Sequence, residues 1–266
     1  MSRIAVCTLV SGSSANCTYV EAGGAGILID AGAGIRKTEQ LLSSVGGSFS
    51  NLRGIFITHE HSDHIGGLKT ILKKYRIPVL ANRNTLCGIT EYAPDLDDSL
   101  FCELPTGATA AAGDFSVTSF SCMHDSSECV GYVITTGNGK IGVCTDLGQV
   151  TDTVATALSG CRAVVLESNH DADMLMNGAY PYSLKQRIAG PCGHLSNQQC
   201  GDILPDLVRS GAQQVFLAHL SKENNTESLC LCTAENRLRL AGIRCGEDVR
   251  VQVAPRNDPS EVFELC

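Results

Sequence analysis

The chain has 266 residues, 43% of them hydrophobic and 18% charged, a balance that suits a folded α/β protein with a sizeable core. A formal net charge of −8 argues against non-specific coating of nucleic acid or membrane, although a local basic groove can coexist with it. The opening MSRIAVCTLVSGSSANC has no basic stretch ahead of a long apolar core, and no apolar run reaches a membrane span, so a cytoplasmic protein without a membrane partner is expected.

In chain order, RIAVCTLV (3–10) and CTYVEAG (17–23) read as strands flanking the polar loop SGSSAN, and AGILIDAG (25–32) follows after glycines. A helix over IRKTEQLLSSV, a strand GIFIT, a helix over HIGGLKTILKKY and a strand PVLAN come next. The middle returns to strands at DFSVTSFSC, CVGYVITTG and KIGVCTD. The last third alternates again: strand RAVVLES, a helix from about Tyr182, a helix over NQQCGDILPDLVRSG and strand QQVFLAHLS. Two strand-rich halves, each followed by helices, predict two sheets packed face to face with helices outside. No repeat, low-complexity tract or Pro/Ser linker divides the chain, so residues 1–266 are read as one domain. The fourteen cysteines are scattered without a CxxC pair. They are expected to be mostly reduced, buried small hydrophobes and not disulfides or zinc ligands.

One regularity stands out. The apolar runs ILID, IFITH, GVCTD, AVVLE and VFLAH each end on an ionisable or metal-capable residue: Asp30, His59, Asp146, Glu167 and His219. In α/β folds, sites gather at the carboxyl ends of strands, where loops present polar groups from a rigid base. The chain has only seven histidines, and FITHEHSDHIGG, from Phe56 to Gly67, uses three of them beside an aspartate. In an extended segment His59, His61 and Asp63 point the same way, because side chains alternate, and His64 then turns with the incoming helix. Crowded imidazoles with a carboxylate suit two borderline-hard divalent ions better than one closed structural site, which prefers thiolates. Glu60 is expected to face solvent or to support the ligands from behind, and Asp30 to organise nearby backbone.

THEHSDHIGG resembles the signature of the metallo-β-lactamase superfamily, and the likeness runs from LIDAG at Asp30 to AHLS at His219. The resemblance implies an αββα four-layer sandwich with metals at the sheet edges. It also implies that HDSSECVGY contributes His124, with Gly131 and Tyr132 as companions, that TDLG contributes Asp146, and that AHLS contributes His219. One ion would then take His59, His61 and His124, the other Asp63, His64 and His219, with Asp146 bridging. For His124 the alternative is a loop histidine with Asp125 making the contact. Histidine with carboxylate ligation is compatible with zinc or manganese as the two expected ions, and with iron.

The combination SGSSANC, LESNHD, GHLSN and AHLSKENN resembles the YycJ (WalJ, VicX) branch of nuclease-like metallohydrolases, with Ala15 where that branch leads one to expect glycine. In nuclease branches a histidine after the bridging aspartate protonates the leaving oxygen. The resemblance thus makes His194 a candidate general acid and Glu167 its orienter, and counts Asp63 among the catalytic groups. Too few residues separate Asp146 from His194 for a β-CASP insertion. The stretch from His124 to Asp146 has room for a hairpin alone, not a flexible arm. Candidate substrate contacts are Ser13, Ser14, Asn16, Asn169, His170 and Lys185. Lys69, Lys73, Lys74, Arg76 and Arg187 are further phosphate candidates, or else an ordinary solvated face. The expected activity is dinuclear-metal-dependent phosphodiester hydrolysis of DNA or RNA by an exonuclease using metal-activated hydroxide. The alternative is a small-molecule hydrolase such as a glyoxalase II-like thioesterase or a lactonase, which the acidic charge and 5% aromatic content favour.

Overall fold

A computed structural model describes residues 4–265. The first sheet holds β1 (Ile4–Val10), β2 (Cys17–Ala22), β3 (Ala25–Ile29), β4 (Leu52–Phe56), β5 (Val79–Ala81) and β6 (Phe101–Glu103), with β14 (Phe263–Leu265) on the edge beside β1. The second runs in spatial order β13 (Arg250–Val253), β12 (Gln214–Ala218), β11 (Ala163–Glu167), β10 (Gly139–Cys144), β9 (Val130–Thr136), β8 (Phe115–Ser121) and β7 (Thr109–Ala112). Helices α1 (Ile35–Ser44), α2 (Ser62–Ile65), α3 (Leu68–Tyr75) and α4 (Arg83–Tyr92) follow strands of the first sheet. Helices α5 (Asp152–Leu158), α6 (Ala172–Asn177), α7 (Tyr182–Ile188), α8 (Asn197–Arg209) and α9 (Glu227–Leu240) belong to the second half.

Three apolar layers hold this arrangement together. Between the sheets lie Ile27, Phe56, Tyr132, Val143 and Phe216. Leu28, Leu42, Ile55 and Ile71 seal the first sheet against α1 and α3, while Leu166, Leu204, Leu217 and Leu238 seal the second against α8 and α9. Each such side chain stabilises the fold by roughly 1.5–3 kcal/mol through removal from water. The result is the αββα sandwich expected from the sequence. The stretch from His124 to Asp146 is filled by the β9–β10 hairpin, without an arm.

The strand directions explain why a site forms at one rim. Strands β3 to β6 are mutually parallel, as are β10 to β13, so their carboxyl ends line up. The register pairs Ile29 with Phe56 in one sheet and Glu167 with Ala218 in the other. The two rims are tied directly, because the Tyr132 hydroxyl donates to the Ile57 carbonyl at 2.7 Å and the Val130 N–H donates to the Thr58 carbonyl at 3.1 Å.

Two expectations require correction. The helix over HIGGLKTILKKY is two helices, α2 and α3, divided at Gly66–Gly67. A Cβ on Gly67 would lie 1.9 Å from the Ala33 carbonyl oxygen, so only glycine allows the LIDAG segment to lie against this turn. The same packing holds Gly32 against the Asp63 carbonyl, where a Cβ would lie at 1.8 Å. Secondly, the extended stretch stops at His61, which caps α2, so Asp63 sits in the first helical turn and period two does not orient it. Every cysteine among the described residues is free, and most are buried, as the scattered spacing predicted; Cys266 lies outside the described residues.

Candidate metal centre

Three strand-end residues adopt left-handed backbone: Asp30 with φ 63°, Asp146 with φ 61° and His219 with φ 57°. Non-glycine residues seldom occupy this region, and where they do the surroundings must hold them. Here the Asp30 N–H donates to the Phe56 carbonyl at 2.8 Å, and the His219 N–H donates to Ser11 Oγ at 2.8 Å. The strained turns aim their side chains across the rim instead of along the strands.

The resulting cluster joins residues far apart in sequence. Potential ligand atoms of His59, His61 and His124 lie within 4.8 Å of one another, as do those of Asp63, His64 and His219. His59, His64 and Asp146 form a third such group, so Asp146 stands beside both sets. Asp146 Oδ2 is 3.1 Å from His64 Nε2, and Asp146 Oδ1 is 3.8 Å from His124 Nε2. Asp125 Oδ1 also approaches His124 Nε2, at 3.3 Å, and its other oxygen pairs with Arg187.

All of these imidazoles but His61, whose Nδ1 meets only His124 Nε2 at 3.4 Å, are oriented from behind. His59 Nδ1 meets Thr58 Oγ1 at 3.0 Å, His64 Nδ1–H donates to Asp30 Oδ2 at 2.8 Å, and His124 Nδ1–H donates to the Gly193 carbonyl at 3.1 Å. Asp30 also accepts the Thr58 N–H at 2.9 Å, so it fixes a ring as well as the backbone it was expected to organise. Glu167, fully buried, accepts from His219 Nδ1 at 2.7 Å and from His194 Nδ1 at 2.8 Å through one oxygen. Its other oxygen takes the N–H groups of Leu147 at 3.0 Å and Leu195 at 3.1 Å. Its pairing with His194 was expected from the resemblance; its hold on His219 was not.

The donor set fits divalent cations. His59 Nε2 and His219 Nε2 are buried without any hydrogen-bond partner, an arrangement costing roughly 1–3 kcal/mol per group unless something else satisfies it. Buried carboxylates also leave a surplus of negative charge. Burial disfavours the imidazolium of His64, yet Asp30 and Asp146 outweigh that and raise its pKa well above the usual range. Likewise burial opposes protonation of His219, but Asp146, Asp63 and Glu167 push it up to about 10. Protons collect where cations are favoured.

The remaining candidates divide by location. Asn16 is buried with its side-chain nitrogen 3.1 Å from both Asp63 Oδ2 and His64 Nε2, while Ser13 and Ser14 are exposed on the same loop. Ala15 is outside the left-handed region, so lacking glycine there costs no backbone strain. Asn169 is buried and donates to the His219 carbonyl at 2.9 Å. His170 is buried with Nδ1 unpaired, and burial lowers its pKa to about 4; Asp171 caps α6 by accepting the Met174 N–H. Lys185 donates to the Met176 carbonyl at 2.8 Å on the surface. Lys69 and Lys73 both bind Asp95, Lys74 binds Glu39 and Arg76 binds Asp97, so this basic group is neutralised by neighbours. Glu60 accepts the Ser127 N–H at 2.8 Å and anchors the loop after His124.

Thr58 and Ser11 open the motifs THEHSDHIGG and SGSSANC but carried no sequence signal of their own as bracing groups. A deeper network did carry one. Asn225 donates to the Ser168 and Asn169 carbonyls and to Asn197 Oδ1, and Ser168 Oγ donates to the same oxygen at 2.7 Å. LESNHD, GHLSN and AHLSKENN therefore converge on a buried amide cluster that fixes the loops bearing Glu167, His194 and His219.

Comparison with known proteins agrees with this geometry. Residues 26–220 match the family described as Beta-lactamase superfamily domain. Exodeoxyribonuclease YycJ of Bacillus anthracis is 33% identical over 254 residues, covering 96% of each chain, and Exodeoxyribonuclease WalJ of Streptococcus pneumoniae is 34% identical over 245 residues, covering 91% of each. Among solved structures, the metallo-β-lactamase fold protein YhfI from Bacillus subtilis superposes with a TM-score of 0.73 at 16% identity over 99% of this chain and 100% of its own. Human tRNase Z, short form, gives 0.63 at 16% identity over 97% of this chain and 98% of its own, a likeness of fold alone. The chain belongs to the metallo-β-lactamase superfamily, in the group of YycJ and WalJ.

Proposed function

We propose that the protein is a metal-dependent phosphodiesterase acting on nucleic acid, most specifically an exonuclease on DNA. The observation that carries this reading is the pair of histidines on Glu167: one buried among the candidate ligands, the other, His194, with 21% of its side chain open beside them. The exodeoxyribonuclease names of two relatives matched nearly end to end support the choice of DNA. His59, His61 and His124 would hold one ion, Asp63, His64 and His219 the other, with Asp146 reaching both. Divalent ions bound there supply Lewis acidity toward a phosphoryl oxygen and toward water.

The chain's own groups do the rest. Glu167 and then Asp146 outweigh the burial of His194 and raise its pKa, favouring the protonated form. It can thus donate a proton to the departing oxygen as the phosphorus–oxygen bond breaks. Asp63, with 21% of its side chain open, would orient the attacking water. Thr58, Asp30 and the Gly193 carbonyl keep the imidazoles from turning away.

A second reading, hydrolysis of a small thioester or lactone, draws on the neutralised lysines of α3. The test is nucleotide release from labelled single- and double-stranded DNA and RNA, with manganese or zinc restored after chelation. Metal-dependent digestion, lost in Asp146→Asn, is expected. No digestion of any polymer, with turnover of thioesters or lactones instead, would transfer the assignment to the second reading.

A further inference from the structure

Two segments meet beside His194, and they are held in different ways. The loop after His124 is fastened to the first half of the chain. Glu60 accepts its Ser127 N–H at 2.8 Å, Asn82 Nδ2 donates to its Glu128 carbonyl at 2.8 Å, and the Glu128 carboxylate takes Asn84 at 2.9 Å and Thr106 at 2.5 Å. Helix α7 has no such footing. None of its residues is buried, and its Leu184 and Ile188 line a cleft of about 210 Å³, so apolar packing does little to fix it. Among the described residues, the one hydrogen bond that α7 sends beyond residues 176–194 joins Arg187 Nε to Asp125 Oδ2, on the fastened loop.

The end of α7 in turn dictates where the candidate general acid stands. The His194 N–H donates to the Ile188 carbonyl at 2.8 Å and the Gly193 N–H to the Gly190 carbonyl at 2.9 Å. A Cβ on Gly193 would lie 2.2 Å from the carbonyl oxygens of Arg187 and Ile188, so this backbone lies directly on the last turn of the helix. Resting on the nuclease reading above, we infer that Arg187 and Asp125 are positioning residues for the proton transfer. Their ion pair pins the end of α7 to the fixed His124 loop and so sets where His194 meets the departing oxygen. Neither residue touches the reacting atoms. An exposed ion pair adds little to stability, whereas displacing a reacting group by about 1 Å costs about 10²-fold in rate. The loss of this pair is therefore read in kcat and not in unfolding.

The experiment separates the proton from the scaffold. With the metal-loaded protein, kcat and KM are measured on labelled DNA and on the p-nitrophenyl ester of thymidylate, whose leaving group departs as a stable anion without a proton. Arg187→Ala and Asp125→Ala are each expected to lower kcat on DNA by roughly 10²-fold with KM unchanged. Arg187→Lys should recover most of the loss, since a single contact to one carboxylate oxygen needs only a cation. On the ester, all three variants should match the wild-type protein. Combining Arg187→Ala with His194→Ala should add nothing to the loss from His194→Ala alone. An unchanged kcat on DNA in Arg187→Ala, multiplied losses in the combination, or an equal loss on the ester overturns the positioning role and leaves the nuclease reading intact. A wild-type protein that turns over neither substrate overturns both.

Discussion

The two halves of the site solve the same problem with different carboxylates. In the first half Asp30, at the end of β3, braces His64 and the Thr58 backbone; in the second, Glu167, at the end of β11, braces His219. Both are buried, and each occupies the strand parallel to the one whose end supplies candidate ligands, β4 or β12. They differ in what else they hold. Asp30 spends its remaining capacity on Thr58, which turns back to His59, and closes the first half. Glu167 spends its own on His194, whose side chain is 21% open beside the candidate ligands. One brace is static; the other couples a ligand position to a proton donor.

That contrast can be broken by substitution, beginning with the largest effect. Glu167→Gln is expected to lower kcat by roughly 10²–10⁴, the scale of a lost general acid. It should also weaken metal binding by about 10–100-fold, since brace and ligand are lost together. Steady-state kinetics with a metal titration on one preparation would separate the two. His194→Ala should reproduce the kcat loss of roughly 10²–10⁴ alone, with metal affinity unchanged by calorimetry. Asp30→Asn, which suits the left-handed backbone there, should show only the metal defect, about 10–100-fold, with kcat restored at saturating metal. A kcat that stays low at saturation would mean that the first half also moves protons. Asn225→Ala sharpens the comparison from beneath. It strips donors from the amide cluster of the second half and should cost about 1–3 kcal/mol in denaturant unfolding, leaving the first half's ligands untouched.

Much of this was legible in the sequence because the site is built at strand ends. Apolar runs terminating in Asp30, His59, Asp146, Glu167 and His219 mark the rim without any coordinates, and the crowded histidines mark the metal loop. What was hidden depends on tertiary contact. Asp63 was misjudged because α2 already begins at Ser62, directly after His61, so the alternation of an extended segment does not reach it. The helix α9 gives little sign of itself, since its buried stripe is Cys230, Ala234 and Leu238, in which only leucine is strongly apolar. The edge strands β6 and β14 are three residues each, too short for alternation to register. Lys69, Lys73, Lys74 and Arg76 look cationic in sequence. Their partners Asp95, Glu39 and Asp97 lie elsewhere in the chain, and only folding brings the charges together.

The central claim is that two cations share this rim through Asp146, and metal stoichiometry tests it most directly. Titration of the chelated protein with manganese or zinc, followed by calorimetry and metal analysis, is expected to give two ions per chain for the wild-type protein. Asp146→Asn should bind both far more weakly, as the carboxylate reaching both sets is gone. A single ion per chain, or two ions bound equally well by Asp146→Asn, would contradict the account.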